Sequence, residues 1–211
     1  MASWEFLMES ENLKTLVVVP AYNESANIEA VVGRLIDAGY DYIVVNDGSS
    51  DTTADICRAR GFNFLDLKEN LGIGGAIQAG HKYALANGYD VDVQFDGDGQ
   101  HDAKFLEKMA DIMEEEQVNM LIGSRFLEGE GFQSTGMRRI GIRFFTWLIR
   151  VLTGTTITDP TSGMRMVDKE VMHMFANDYP KDYPEPETAV TVLKRGYRVK
   201  EIPVEMKARA A

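Results

Sequence analysis

Leu16-Val-Val-Val19 has no polar alternation, which predicts a short strand covered on both faces inside a parallel sheet. Pro20 ends it, and Ala21-Tyr22-Asn23-Glu24 forms a loop. Ile28, Val31, Val32, Leu35 and Ile36 then recur at the spacing of an amphipathic helix, with Asn23 or Ser25 as cap and Gly39 as stop. Tyr42 to Val45 predicts a second strand, followed by the turn-rich Asn46-Asp47-Gly48-Ser49-Ser50-Asp51 and a helix over 52–60. Phe62 to Leu67 predicts a third strand, and the glycine-containing loop Lys68 to Gly75 leads into a helix ending near Ala86. Val91, Val93 and Phe95 alternate with Asp92 and Gln94, the period of a half-buried strand. A helix over 103–116 and a strand over 118–122 follow.

Strand, loop and helix in repetition predict an α/β fold, a doubly wound, mostly parallel sheet flanked by helices. Ligands of such sheets bind outside the carboxyl ends of the strands. The loops bearing Glu24, Asp47 and Asp96-Gly97-Asp98 all leave carboxyl ends, so their acids are expected to form one site. Beyond Ile122 the pattern changes. A polar loop runs to Gly136, and an apolar, aromatic helix punctuated by Arg138, Arg139, Arg143 and Arg150 follows. Asp159 to Arg165 reads as a second glycine loop, then a helix over 168–176, a proline-rich link over 179–187, a helix over 187–195 and a strand over 197–204. Residues 15–205 are expected to form a single domain. Residues 1–14 read as a lead-in or cloning remnant, and 206–211 as a tail whose abrupt end leaves room for a further segment.

Asp96 and Asp98 stand one residue apart, each followed by glycine, where a strand runs out. Carboxylates that close repel unless a cation lies between them. Mg²⁺ favours one or two carboxylates plus substrate phosphates, so a cation carrying a diphosphate is expected, with the Gln100 amide as a third oxygen. An EF-hand is excluded: its sixth position would be His101 rather than glycine, and a strand precedes the loop. The Gly72-Ile-Gly74-Gly75 run lacks the third glycine of a dinucleotide fingerprint; Gly74 is expected to let the backbone pass close to a nucleotide. His81 and His173 read as structural, and so, less firmly, does His101 beside the acidic loop.

Charge narrows the partners. The net charge of −11 over 211 residues argues against nucleic acid. Between Arg125 and Arg150, however, five arginines face two glutamates. An aromatic helix with arginines suits a membrane surface or an anionic lipid head, and equally self-association. The lone Cys57 excludes an internal disulfide and fits a reducing cytoplasm.

Pro20-Ala-Tyr-Asn-Glu24, Asn46 to Asp51, Asp96 to His101, Gly123-Ser-Arg125 and Asp159-Pro-Thr-Ser-Gly163 together resemble family 2 glycosyltransferases, more narrowly the dolichyl- and polyprenyl-phosphate sugar synthases. The resemblance implies the GT-A fold, an inverting mechanism and a nucleotide-diphospho-sugar donor, UDP favoured over GDP. It places Pro20, Ala21, Tyr22, Glu24 and Asp47 on the nucleoside. It places Asp96, Asp98 and Gln100 on Mg²⁺ or Mn²⁺, with Gly97 between them. Arg125 and Arg139 (or Arg138) would grip the acceptor's phosphate, assisted by Ser162, and Asp159 is the candidate base or acceptor-positioning group. Gly99, Met164 and Asn46 depart from the usual motifs without removing a ligand. The expected place of action is the cytoplasmic face of the cell membrane. Two readings compete. One is transfer to a hydroxyl of a cell-surface polysaccharide, as Pro184-Glu-Pro-Glu187 resembles members acting there. The other is a catalytically idle donor-binding subunit of a membrane complex. A sugar-nucleotide pyrophosphorylase would want glycines in the first loop, and residues 20–25 contain none.

Overall fold

A computed structural model describes residues 13–99, 101–127, 136–181 and 184–205, with the backbone alone for 136–139. In chain order the elements are β1 (Thr15–Ala21), α1 (Ile28–Asp37), β2 (Asp41–Asp47), α2 (Thr53–Arg60), β3 (Phe64–Leu67), α3 (Gly72–Ala86), β4 (Val91–Gln94), α4 (Leu106–Glu116), β5 (Met120–Ser124), α5 (Gly136–Thr153), β6 (Arg165–Asp168), α6 (Lys169–Asn177), α7 (Pro184–Lys194) and β7 (Val199–Pro203).

The strands form one sheet in the order β3-β2-β1-β4-β6-β5-β7. Neighbours are parallel except around β6, which runs antiparallel to both β4 and β5. Helices cover both faces, which explains the unbroken apolar run of β1. Val17 and Val19 pack with Ile28, Val32, Leu35, Cys57 and Met109 from α1, α2 and α4. Leu16 and Val18 pack with Ile77, Ile149, Val171 and Val192 from α3, α5, α6 and α7. Each such side chain contributes roughly 1.5–3 kcal/mol on burial, so a strand inside two layers gains from every position.

Three elements and one helix face differ from the sequence expectation. Arg165–Asp168, read as the end of a loop, is a strand. Four residues with charged ends show no period of their own. The ladders that β4 and β5 supply on either side make them extended. Asp168 then caps α6, its Oδ1 accepting the Val171 N–H at 2.9 Å. Helix α7 begins at Pro184, inside the proline-rich link, because a first-turn proline gives up an N–H that has no helical partner anyway. Helix α3 begins at Gly72 rather than after Gly75. Finally, Ile36 of the predicted apolar stripe is 50% exposed, so α1 buries a narrower face than its sequence suggests.

Candidate active site

The loops after β1 and β2 are braced against each other. Asn23 adopts a positive φ of 55°. Its Oδ1 accepts the N–H groups of Ser50 at 2.9 Å and Asp51 at 3.3 Å, and its own N–H donates to Ser49 Oγ at 2.9 Å. The Asp51 carboxylate accepts N–H bonds from Ser25 and Thr53, at 3.1 and 2.9 Å, and the Thr53 hydroxyl at 2.5 Å. Burial pushes the Asp51 carboxyl up, but these hydrogen bonds outweigh it and bring the pKa down to about 2. The Glu24 N–H donates to Thr53 Oγ1 at 2.9 Å, so residues 23–25 and 49–53 form one bracket.

That bracket forms one side of a cleft of about 470 Å³ at the carboxyl edge of the sheet. Pro20, Ala21, Tyr22 and Glu24 line it from the first loop, Asp47 from the second, and Asp96, Gly97 and Asp98 from the loop after β4. The structure thus gathers the expected donor-side residues of three separate loops. Asp47 is buried, and its Oδ1 accepts the Leu71 N–H at 2.7 Å, tying the start of α3 to the cleft floor. Gly74 is the exception. A Cβ built there would lie 2.1 Å from the Pro180 carbonyl oxygen, so this glycine admits the 180 segment, while Gly72 and Ile73 line the cleft in its place.

Asp96 is held from several sides. Gln94 Nε2 donates to its Oδ1 at 3.0 Å. The Asp96 N–H donates to His101 Nδ1 at 3.0 Å, which places the ring proton on Nε2, 3.5 Å from Asp96 Oδ2. His101 is itself buried edge-on against Phe95. It therefore supports Asp96 from behind. Gly163 completes the pocket around the carboxylate: a Cβ there would sit 2.5 Å from Oδ2. Gln100 lies outside the described residues. The hard oxygens of Asp96 and Asp98 suit Mg²⁺ or Mn²⁺. Glu24 and Asp47 share the cleft but complete no cage: among the described residues no three His, Cys, Asp or Glu side chains gather as a metal site. Such a pair fits a cation that draws its remaining ligands from substrate phosphates and water.

The acceptor-side expectations fare differently. Arg125 and Asp159 bind each other. Arg125 Nε and Nη2 donate to the two carboxylate oxygens at 2.6 and 2.7 Å, and Asp159 is fully buried. Both oxygens of Asp159, the expected base or acceptor-positioning group, accept from the guanidinium and hold Arg125 in place. Arg125 is thus turned onto Asp159, with Nη2 also donating to Thr161 Oγ1 at 3.0 Å. Glu201 fixes the loop below, accepting the N–H groups of Thr158 at 2.7 Å and Asp159 at 2.9 Å; burial nonetheless pushes its carboxyl up. Ser162, expected on the acceptor, is fully buried, and its hydroxyl donates to the Gly123 carbonyl at 2.5 Å. It stands behind the site. Arg138 and Arg139 fall in the first turn of α5, where side chains are not described.

Two features were not anticipated. Glu185, in the first turn of α7, lines the cleft beside Asp96 and Asp98. Burial pushes its carboxyl up, opposed by the charge of Arg165. Proximity in sequence gave no hint, because the proline-rich stretch read as a linker. The second is a groove of about 810 Å³ along α5, lined by Arg143, Arg150, Trp147, Ile140, Phe126 and Thr158 among others. Phe126 and Thr158 are chain neighbours of Arg125 and Asp159, so the groove abuts that ion pair. Among the described residues no helix is long and apolar enough to cross a membrane.

A family model described as glycosyl transferase family 2 matches residues 16–175. The UDP-N-acetylglucosamine–dolichyl-phosphate N-acetylglucosaminyltransferase of Methanococcus voltae is 28% identical over 213 residues, covering 90% of this chain and 84% of that protein. Polyprenol monophosphomannose synthase of Mycolicibacterium smegmatis is 31% identical over 168 residues, 75% of this chain and 63% of that one. Among solved structures, glucosyl-3-phosphoglycerate synthase of Mycobacterium tuberculosis, bound to Mn²⁺, UDP-glucose and phosphoglyceric acid, superposes with a TM-score of 0.71 at 19% identity, over 94% of this chain and 72% of that one. The shared architecture is the GT-A fold.

Proposed function

Because the chain belongs to glycosyl transferase family 2, we propose that its cleft takes a nucleotide-diphospho-sugar, UDP-linked first, and passes the sugar with inversion to a polyprenyl phosphate. The observation that supports this best is the convergence of Pro20–Glu24, Asp47 and Asp96–Asp98 on one cleft. Glu24 and Asp47 would hold the nucleoside and Tyr22 would cover it. Asp96 and Asp98 would hold Mg²⁺ or Mn²⁺, whose contribution when bound is to neutralise the departing diphosphate. The acceptor oxygen attacks the anomeric carbon from the opposite face as the bond to the diphosphate breaks. A lipid phosphate is already an anion and needs only placement. Arg143 and Arg150 in the α5 groove would supply it, together with Arg139 or Arg138 from the first turn of the same helix. The similarity to dolichyl- and polyprenol-phosphate sugar transferases favours the same acceptor class.

A thermal-shift series with UDP, GDP and dTDP, each with and without Mn²⁺, tests the donor. A ligand at one hundred times its Kd adds about 2.7 kcal/mol, which in a chain of this size raises Tm by about 5–10 °C. UDP with Mn²⁺ is expected to give that shift. No shift with any nucleotide overturns the donor reading.

Glu185 favours a second acceptor class. A hydroxyl needs a general base, and a cleft carboxyl raised by burial is suited to that work. Glu185→Gln separates the two. Transfer to a saccharide hydroxyl is expected to fall at least 100-fold, whereas transfer to a lipid phosphate needs no proton removed and is expected to change little.

A further inference from the structure

Arg165 is buried at the start of β6, with 4% of its surface exposed. Among the described residues it has no carboxylate partner at ion-pair distance, unlike Arg125. Its guanidinium is spent on four oxygens from two segments. Nε donates to the Ser162 carbonyl at 2.8 Å and Nη2 to the Pro160 carbonyl at 2.9 Å. Nη1 donates to Thr188 Oγ1 at 2.8 Å and to the Glu185 carbonyl. Thr188 in turn donates to the Pro184 carbonyl at 2.7 Å.

A buried cation bonded only to neutral oxygens is costly to desolvate, and an apolar side chain would fill the same space more cheaply. What an apolar side chain would not do is tie the loop over 159–163 to the first turn of α7. The loop carries Asp159, which holds Arg125, and Gly163, which abuts Asp96. The turn carries Glu185 at the cleft wall. Pro184 and Pro186 remove two N–H groups from that turn, so few other anchors are open to it.

We propose that Arg165 is a positioning residue, fixing the backbone of Glu185 against the 160–163 loop so that the Glu185 carboxyl stands in the cleft beside Asp96 and Asp98. This rests on reading Glu185 as a working group of the cleft. Lysine cannot replace it, since one ammonium on a flexible stem does not span the two segments as a planar fork does.

The test is a double-mutant cycle of Arg165→Met and Glu185→Gln, with Arg165→Lys alongside. The readouts are kcat with a saccharide-hydroxyl acceptor, the one for which Glu185 would serve as base, and UDP affinity by calorimetry. Each Arg165 variant is expected to lower kcat at least tenfold while UDP affinity stays within twofold. The double variant Arg165→Met with Glu185→Gln is expected to lose no more kcat in total than Glu185→Gln alone. Additive losses, or UDP affinity falling in step with kcat, overturn the proposal. Wild-type kcat in Glu185→Gln with every acceptor overturns the reading of Glu185 instead. Should Arg165→Met fail to fold, hydrogen exchange of Arg165→Lys decides. Faster exchange confined to 158–166 and 184–192 supports the tie, and unchanged exchange there overturns it.

Discussion

Removing the Asp98 carboxylate would leave Asp96 as the one remaining carboxylate of the Asp-Gly-Asp pair proposed to hold the cation. Asp98 is half-buried in a loop outside the apolar core. Asp98→Ala is therefore expected to fold normally, to lose transfer, and to lose the Mn²⁺-dependent part of the UDP thermal shift. Wild-type turnover would end the metal role of this residue. Gly163 offers a subtler test from the other side of Asp96. An added Cβ meets the carboxylate at 2.5 and 2.9 Å, so the side chain must turn aside or the loop must move. Overpacking of this kind costs about 1–3 kcal/mol. Gly163→Ala is expected to raise the Mn²⁺ concentration for half-maximal activity at least tenfold, with a drop in Tm of a few degrees. An unchanged Mn²⁺ titration would mean that the Asp96 rotamer does not matter.

The elements divide into those legible from sequence and those made by their surroundings. The strand ends bearing Glu24, Asp47 and Asp96 could be read because period and punctuation mark each one locally, and a parallel sheet places every carboxyl end on one edge. Strand β6 could not, since its extension comes from ladders with β4 and β5. Nor could the pairing of Arg125 with Asp159, 34 residues apart, which forms a buried brace between two loops. Breaking such a pair costs about 3–5 kcal/mol, so Asp159→Asn would damage folding before it tested chemistry. Asp51 gives a cleaner element-scale prediction. Its folded pKa of about 2 lies below the unfolded value of roughly 3.9. The bracket between the first two loops is thus stabilised by the charged form, fully above about pH 4, and that contribution is lost as pH falls toward 2. The difference in melting temperature between wild type and Asp51→Asn should be largest near neutral pH and close by about pH 2. A difference that persists at pH 2 would mean that shape, not charge, holds the bracket.

On the scale of the whole molecule, charge and apolar surface are distributed unequally. Helix α5 exposes Ile140, Phe144, Trp147 and Val151 at spacings of four, three and four, one continuous stripe down the helix. Arg143 and Arg150 flank it along the groove that abuts the Arg125–Asp159 pair. The rest of a chain of net charge −11 is repelled by an anionic bilayer, but at 0.1 M salt that repulsion is screened beyond about 10 Å. Contact through α5 would then be governed by its own arginines and aromatics, and would set the groove at the surface where a lipid phosphate lies. Each arginine near an anionic surface contributes about 1 kcal/mol. Arg143→Gln with Arg150→Gln is therefore expected to weaken sedimentation with phosphatidylglycerol vesicles about 30-fold at low salt and to leave binding to neutral vesicles nearly unchanged. Trp147→Ser should weaken both, because it removes apolar area rather than charge. If the wild-type protein ignores vesicles of either kind while its mass rises with concentration, the stripe serves a second copy of the chain and not a membrane.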